Sequence, residues 1–208
     1  MNVSDLFFIV SFFLIATGLF GLFTAALMRR WDLAKRLGLG VLIYSGVYAL
    51  MLVGVALLSP QRVMVFHQLR CFDDWCAAVE NVEQRPAIGT LQANGSFYLV
   101  TIDVLSQAKR IRQRALDASA YVLDELGNRY DPSPEGTQAL EAAGQAGQPM
   151  NIWLEAGASF TSILVFDLPV DIHQPALVFT HGAFPGLIII GDEASWLHKP
   201  TIVPLGPP

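Results

Sequence analysis

Charge is absent from two long stretches of this sequence and scarce elsewhere, since Asp, Glu, Lys and Arg make up only 15% of its residues. No charged residue occurs from Leu6 to Met28 or from Leu37 to Leu58. Each stretch exceeds the roughly 20 residues that a helix needs to cross a bilayer. A core helix of a soluble protein would carry polar residues along its outer face, and neither stretch does. The two stretches are therefore predicted to be transmembrane helices.

Clusters of Lys and Arg are also few, and the net charge is -5. A nucleic-acid-binding protein needs a basic surface to neutralise phosphates, so nucleic acid is not an expected partner. The two apolar stretches contain no Asp, Glu, Lys, Arg or His, which argues against an ion or proton pathway through the membrane. The sequence also lacks low-complexity tracts and repeats at a solenoid period.

The short loop between the two spans, residues 29–36, has the sequence RRWDLAKR and holds four basic residues. The N-terminal tail holds none, and only Arg62 and Arg70 follow soon after the second span. Because basic loops stay in the cytoplasm, the loop is predicted to be cytoplasmic, with both termini and everything after Ser59 outside. The string MNVSD lacks the basic residues of a cleavable signal peptide, so the first span is expected to stay as an anchor. The predicted location is therefore a membrane that the chain crosses twice.

Glycines recur in both spans, at Gly18 and Gly21 in the first and at several positions in the second. The second set is Gly38, Gly40, Gly46 and Gly54. Small residues let helix backbones approach closely in lipid. The pattern predicts packing of the two spans into a hairpin, or self-association with a second copy. The expected partners are therefore the lipid bilayer, another copy of the chain through the hairpin, and an envelope protein.

After Val63 the sequence changes to short runs that are typical of β-strands. The string GSFYLVTIDVLSQ predicts a strand with two distinct faces, one with Phe97, Leu99, Thr101 and Asp103 and the other with Tyr98, Val100, Ile102 and Val104. Further strands are predicted in CAAVENVEQ, SAYVLDEL, ASFTSILVFDLP, PALVFTHG and GLIIIGD, and a helical turn or loop over Gln138–Ala143. Short strands without a long helical pattern predict an all-β antiparallel sandwich, with a small closed barrel as the alternative. The predicted domains are a helical hairpin over residues 1–60 (spans 6–28 and 37–58) and an extracytoplasmic sandwich over 61–208.

Four segments resemble a group of uncharacterised bacterial membrane proteins. They are DDWC before a strand, LDELGNRYDPSP, LEAGASF leading to ILVFDLP, and the closing IIIGDEASWLHKPTIVPL. The resemblance extends over roughly Arg70 to Leu205. Members of that group carry an immunoglobulin-like extracytoplasmic domain of unknown function, similar to the sandwich of secreted mycobacterial immunoprotective antigens. The resemblance implies an immunoglobulin-like fold outside the cytoplasm and a location in the bacterial cytoplasmic (inner) membrane. It supplies no catalytic residues.

The sequence has only two cysteines, Cys71 and Cys76, and they enclose four residues. In an exported domain an even number of cysteines predicts a disulfide, which would hold the start of the first strand. A metal site is the alternative, with His67, Asp73 and Asp74 as further ligands. A structural zinc site usually has a second ligand pair, which is missing here. A redox pair would have C-x-x-C spacing, which is also missing.

The string GDEASWLHKP near the C-terminus contains the residue types of a hydrolytic triad. They are Asp192, Glu193, Ser195 and His198. Ser195 does not lie in a G-x-S-x-G elbow, so a structural interpretation is favoured: a strand ends at Asp192, a turn follows, and Trp196 and Leu197 pack on the sandwich. A binding role for Asp192, Glu193 and His198 is the functional interpretation.

One basic cluster occurs in the exported part, in the string QAKRIRQRALD. If it forms a strand, Arg110, Arg112 and Arg114 share one face. That face is predicted to be solvated, and the alternative is docking to anionic lipid head groups or to an acidic partner.

These features together predict a membrane-anchored extracytoplasmic module with a non-enzymatic binding or scaffolding role in the bacterial cell envelope. No cofactor is expected. The alternative function is an envelope redox or metal-handling protein that acts through Cys71 and Cys76.

Overall fold

The computed structural model describes residues 3–72, 74–115, 118–182 and 184–206. The chain divides into two units, Met1–Gln61 with Ala183–Pro200, and Arg62–Gly182 with Thr201–Pro208. The first unit contains two apolar helices and the second is a β-sandwich. The predicted sandwich domain included residues 183–200, whereas these residues group with the helices.

Two long helices form most of the first unit, α1 (Val3–Leu27) and α2 (Trp31–Leu58). By length and composition, each can cross a membrane. In the most apolar 18-residue window of each helix, only 6% and 11% of the residues are buried. A core helix of a soluble protein would bury a whole face, so that interpretation does not fit. The prediction of two long apolar helices near the N-terminus is confirmed.

The two helices approach closely where glycines face the neighbouring helix. A Cβ atom on Gly18 would lie 2.6 Å from a Val41 methyl group, and one on Gly38 would lie 2.8 Å from a Leu22 methyl group. These glycines therefore allow the two helices to pack closely into a hairpin. Within the part of the chain that the structure describes, a Cβ atom on Gly40, Gly46 or Gly54 would have no atom within 4 Å.

In the described part of the chain, ten strands follow the two long helices. They are β1 (Arg70–Phe72), β2 (Trp75–Ile88), β3 (Leu91–Ser106), β4 (Gln113–Arg114), β5 (Ser119–Leu123), β6 (Arg129–Tyr130), β7 (Trp153–Leu154), β8 (Ser159–Leu168), β9 (Ala176–Thr180) and β10 (Val203–Pro204). One sheet has the order β1-β2-β3-β8 and the other has the order β10-β9-β5-β6, with β4 and β7 in a separate ribbon. All of these pairings are antiparallel. The predicted antiparallel sandwich is confirmed, and the closed barrel is wrong because two separate sheets face each other across a core.

Strand β3 carries apolar side chains on both faces, and each face packs in a different hydrophobic cluster. One face lies in the main core between the sheets and carries Tyr98, Val100, Ile102 and Val104. That core also contains Val122, Leu177 and Phe179 from the second sheet. The opposite face carries Phe97 and Leu99, which pack in a smaller cluster. The alternation predicted for this strand agrees with these two clusters.

A short helix, α3 (Pro134–Ala142), covers that second face of β3. Ser133 begins the helix, since its Oγ accepts a hydrogen bond from Gly136 N at 3.0 Å, and Pro134 suits the first turn. Leu140 of the helix packs in the small cluster with Phe97 and Val165. The helix begins earlier than the predicted turn over Gln138–Ala143, because the Ser–Pro start signal lies upstream of it.

The strand predicted in GLIIIGD is wrong. Gly186–Ile188 forms a single 3-10 turn, and this stretch lies in the helical unit. Trp196 and Leu197, which were predicted to pack on the sandwich, also belong to the helical unit, and their side chains are exposed. A short apolar run between Pro and Gly residues does not by itself identify a strand.

Candidate functional site

The two cysteines are joined in a disulfide between neighbouring strands. Cys71 in β1 is directly opposite Cys76 in β2, and Cys76 is completely buried whereas Cys71 is exposed. The predicted disulfide is therefore present in the structure. Arg70 beside it donates hydrogen bonds from Nη1 to Phe179 O at 2.9 Å and to Thr201 O at 3.4 Å. Strand β1 is thus held to β2 by the disulfide and to the second sheet by the arginine.

The residues of the alternative metal site do not form a ligand set. Both thiols are in the disulfide, and His67 Nδ1 lies 2.7 Å from Glu80 Oε2. The Asp74 carboxylate accepts a hydrogen bond from the Gln113 side chain, and Asp73 lies outside the described residues. Among the residues that the structure describes, no group of three or more His, Cys, Asp or Glu side chains is suited to hold a metal ion.

The basic cluster does not form the predicted strand. Only Arg114 lies in a strand, the two-residue β4, whereas Arg110 and Arg112 lie before it in bends and coil. The Arg112 guanidinium lies 4.8 Å from the centre of the Trp153 ring. Because β-strand alternation is lost, the three side chains do not share one strand face, although all three are exposed.

The residues of the hypothetical triad are close in sequence, but Ser195 and His198 do not form the hydrogen-bonded pair that a triad requires. Asp192 Oδ1 accepts a hydrogen bond from Ala194 N at 2.8 Å, and His198 Nδ1 lies 2.8 Å from Lys199 O. Ser195 Oγ is buried without a hydrogen-bond partner in the described part of the chain. A nucleophilic serine needs a base within hydrogen-bond reach, and Ser195 has none. Glu193, the fourth residue of this group, is half-buried.

Sequence reasoning missed a cleft of about 390 Å³ in the sandwich unit. Its wall is formed by β5, β6, α3, the loop that follows α3, and strand β8. Six of its polar lining residues are Ser119, Arg129, Thr137, Glu141, Gln148 and Asn151. Ligand sites in proteins have volumes of roughly 300–1,000 Å³, so the cleft is large enough for a small molecule or a peptide side chain. The Ser133–Pro134 helix start was the one local signal that could have located its α3 wall.

The positive charge of Arg129 in this cleft is largely neutralised by a neighbouring carboxylate. Arg129 Nη2 lies 2.6 Å from Asp131 Oδ1, and the Arg129 guanidinium lies 4.2 Å from the centre of the Tyr121 ring. Glu141 adds one exposed carboxylate. The cleft therefore suits a ligand that makes hydrogen bonds and apolar contacts more than one recognised by a strong charge.

The loop after α3 also covers the edge of strand β8. Gln148 N donates a hydrogen bond to Thr161 O at 3.0 Å. A Cβ atom on Gly147 would lie 2.6 Å from Ile163 N and 2.9 Å from the Ser162 carbonyl carbon. This close backbone approach requires glycine, and it covers an edge strand that would otherwise offer free backbone groups.

A second cavity, of about 270 Å³, lies at the β5–β6 turn and is acidic. Asp124 accepts hydrogen bonds from Leu126 N at 2.9 Å and from Asn128 N at 2.8 Å. Partial desolvation opposes ionisation of Asp124, but these bonds, with further ones from the Asn128 and Tyr130 side chains, outweigh it and lower its pKa. Desolvation, assisted by the Asp124 charge, raises the pKa of Tyr130. These contacts explain Asp124 as a turn residue.

The fold is a disulfide-containing β-sandwich that is preceded by two apolar helices. No family model matches the chain, and no curated protein matches it. An uncharacterised β-sandwich protein from Clostridium difficile is similar in structure, with 10% identity, a TM-score of 0.45, and coverage of 71% of this chain and 96% of that one. MPT63, a secreted protein from Mycobacterium tuberculosis, has 12% identity, a TM-score of 0.41, and coverage of 60% and 92%.

A conserved hypothetical protein from Bacillus anthracis has 14% identity, a TM-score of 0.44, and coverage of 55% of this chain and 88% of that one. Similarities of this size carry no conclusion about activity. The fold assignment rests on the two sheets described above.

Proposed function

We propose that the protein is anchored in a bacterial cytoplasmic membrane by two spans and presents an immunoglobulin-like sandwich outside the cytoplasm. There the sandwich has a non-enzymatic binding or scaffolding role in the cell envelope. One observation carries the proposal: the same chain combines two helices of membrane-spanning length, with exposed apolar surfaces, and a sandwich with a disulfide. Exposed apolar helices of this length suit lipid, and disulfides persist in oxidising compartments.

The orientation is supported by the basic residues at the turn between the helices. Arg29 and Arg30 lie in that turn, and Lys35 and Arg36 lie near the start of α2. Positive charge beside a span is retained in the cytoplasm. Membership of the group of bacterial membrane proteins that the sequence resembles is part of the same proposal.

The binding role is assigned to the cleft of about 390 Å³ in the sandwich. Its ligand is a segment of an envelope protein, and the hairpin offers a separate surface for self-association in the lipid bilayer. The alternative function, redox or metal handling through Cys71 and Cys76, has weaker support because both thiols are held in the disulfide.

Cysteine substitutions at Leu126 and Leu33 test the orientation. Leu126 is exposed in the turn after β5, and Leu33 is exposed near the start of α2. The native disulfide leaves no free cysteine, so each new thiol is the only reactive one. Leu126→Cys is expected to react with a membrane-impermeant maleimide in intact cells, and Leu33→Cys only after lysis. The opposite pattern would place the sandwich in the cytoplasm.

A photoreactive amino acid in the cleft tests the binding role. We expect a benzoylphenylalanine at Gln148, which is exposed in the cleft lining, to give a specific adduct when cells are irradiated. The same substitution at Gln92, exposed on β3 outside this cleft, is the matched control. Adducts of equal yield at both positions, or none at position 148, would remove the cleft as the binding site.

A further inference from the structure

Residues 184–198, which we name the apolar loop, run beside α2 within the helical unit. The Tyr48 hydroxyl donates a hydrogen bond of 2.7 Å to Ile188 O. Further towards the end of α2, a Cβ atom on Gly191 would lie 3.8 Å from Val55 Cγ1. Just after the apolar loop, Gln61 Nε2 donates to Pro200 O at 3.2 Å. The loop therefore lies along α2 between the level of Gln61 and that of Tyr48. Its tip is the part around Ile188, which contacts Tyr48.

The level of Tyr48 lies inside the apolar part of the hairpin on both helices. On α2, Tyr48 precedes Leu58 by ten residues, which is about 15 Å along the helix axis. Leu58 is exposed, so α2 presents apolar surface up to its end. On α1, the residue at this level is Phe7, whose ring stacks on that of Tyr48 with the centroids 5.9 Å apart. Phe7 lies beyond the charged Asp5, towards the apolar middle of α1. The tip of the loop is thus deeper than the outer end of either helix.

Apolar side chains of the loop point away from the protein. Phe184 is 78% exposed. Four more apolar side chains of the loop are exposed, namely Leu187, Ile188, Trp196 and Leu197. An exposed patch of this kind is unfavourable in water and marks a surface that contacts lipid or another protein.

The carbonyl groups at the tip are paired internally, which lowers the cost of placing them in the interior of a bilayer. Five consecutive carbonyl groups, from Pro185 to Ile189, each accept a hydrogen bond. Four of the donors are the backbone N–H groups of Ile188, Ile189, Asp192 and Trp196, and the fifth is the Tyr48 hydroxyl. Pro185 has no N–H group to satisfy. The carbonyl groups of the tip are therefore compatible with an apolar environment.

The polar residues of the loop lie on the limb that returns to the end of α2. Asp192 and Glu193 follow Gly191, which is level with Val55, one helical turn from the end of α2. The Asp192 carboxylate lies beside Gly186 and accepts a hydrogen bond from Ala194 N at 2.8 Å. Trp196 N donates to Leu187 O, so Trp196 lies near the tip of the loop. His198 comes later still and is followed by Pro200 at the level of Gln61, so the end of the loop approaches the head-group level of a bilayer.

We propose that the apolar loop inserts into the bilayer beside α2, at the open end of the hairpin, and that lipid acyl chains cover its exposed side chains. Lipid is the occupant that the structure favours because the exposed surface of the loop continues that of α2, where Leu50 and Leu57 are also exposed. The inference rests on the proposed function, since the hairpin must lie in a membrane. It adds a third membrane contact from a segment more than 120 residues beyond the spans.

Nitroxide labels on single introduced cysteines test the insertion. The full chain with its disulfide intact is reconstituted in vesicles of phosphatidylcholine and phosphatidylglycerol. Phe184→Cys and Leu187→Cys report on the loop, Leu50→Cys is the reference for lipid, and Leu126→Cys is the reference for water. We expect oxygen to relax the labels at positions 184 and 187 strongly and a water-soluble nickel chelate to relax them weakly, as at position 50, with the reverse at position 126.

The outcomes separate the two proposals. Labels at 184 and 187 that behave like 126, with 50 in lipid, would overturn the insertion and leave the membrane hairpin intact. A label at 50 that the nickel chelate reaches would overturn the hairpin itself. Labels at 184 and 187 that neither reagent reaches would show that protein covers the loop, which also overturns insertion into lipid.

Discussion

Replacement of Gly95 by alanine is expected to lower the free energy of unfolding by about 3 kcal/mol or more, as severe overpacking does. A Cβ atom at this position would lie 2.2 Å from Leu168 O and 2.8 Å from the Pro169 carbonyl carbon. Both atoms belong to the backbone, so they cannot move aside as a flexible side chain would. Leu168 is also fixed by its pairing with Ser96 across strands β3 and β8.

Gly206→Ala is the matched control for this substitution. Within the described part of the chain, a Cβ atom on Gly206 would have no atom within 4 Å, so the same chemical change is expected to leave the stability almost unaltered. Urea unfolding of the full chain in detergent, followed by tryptophan fluorescence, to which the buried Trp75 contributes, measures both variants. Equal midpoints for the two variants would contradict the close approach at Gly95.

Phe166→Ala is expected to cost about 4 kcal/mol of stability, within the usual range for removing a buried phenylalanine. Phe166 lies in β8, is completely buried, and packs in the main core. The substitution removes apolar contacts and leaves a cavity that two sheets cannot readily close, because both are fixed by their hydrogen-bonded ladders.

Leu126→Ala serves as the comparison for Phe166→Ala, since Leu126 is 82% exposed. A substitution of an exposed side chain usually changes the stability by less than about 0.5 kcal/mol. The same urea experiment applies, and the slope of the transition shows whether the unfolding remains cooperative. A loss for Phe166→Ala no larger than that for Leu126→Ala would contradict the assignment of Phe166 to the core.

The substitutions of Gly95 and Phe166 both act on strand β8, which also lines the cleft. Residues 162–164 of β8 contribute to the cleft wall, Phe166 holds the strand to the core, and Leu168 is held by the approach of Gly95. The candidate binding site is therefore built on one of the most firmly fixed strands of the sandwich. Its other walls, α3 and the loop after it, are short elements that depend on packing against this strand.

The disulfide shows how a sequence pattern with several meanings is decided by structure. Two cysteines that enclose four residues are compatible with a disulfide, with metal ligands or with free thiols. Pairing of β1 with β2 places Cys71 opposite Cys76, and that register brings the sulfur atoms together. The other residues of the metal hypothesis have different partners, such as Glu80 for His67.

The C-terminal apolar run shows the opposite case, in which a pattern was misleading. The string GLIIIGD has the composition of a buried strand, and its Pro and Gly neighbours are typical strand boundaries. Gly186 nevertheless begins a 3-10 turn, and a Cβ atom there would lie 2.6 Å from the Asp192 carboxylate. This folding-back depends on residues six positions apart and on Tyr48, which lies 140 residues away along the chain.

The sequence by itself determined the two apolar helices, the antiparallel strands and the two faces of β3. These follow from local rules, because a charge-free apolar run of more than 20 residues has the length and composition of a membrane-spanning helix and strict alternation places side chains on opposite faces of a strand. Only the tertiary structure decided which strands pair, where the cleft opens, how α3 covers β3, and that residues 184–198 return to the helices. Each of these features depends on contacts between residues far apart in the chain. Sequence periodicity reports local structure and does not reveal such contacts.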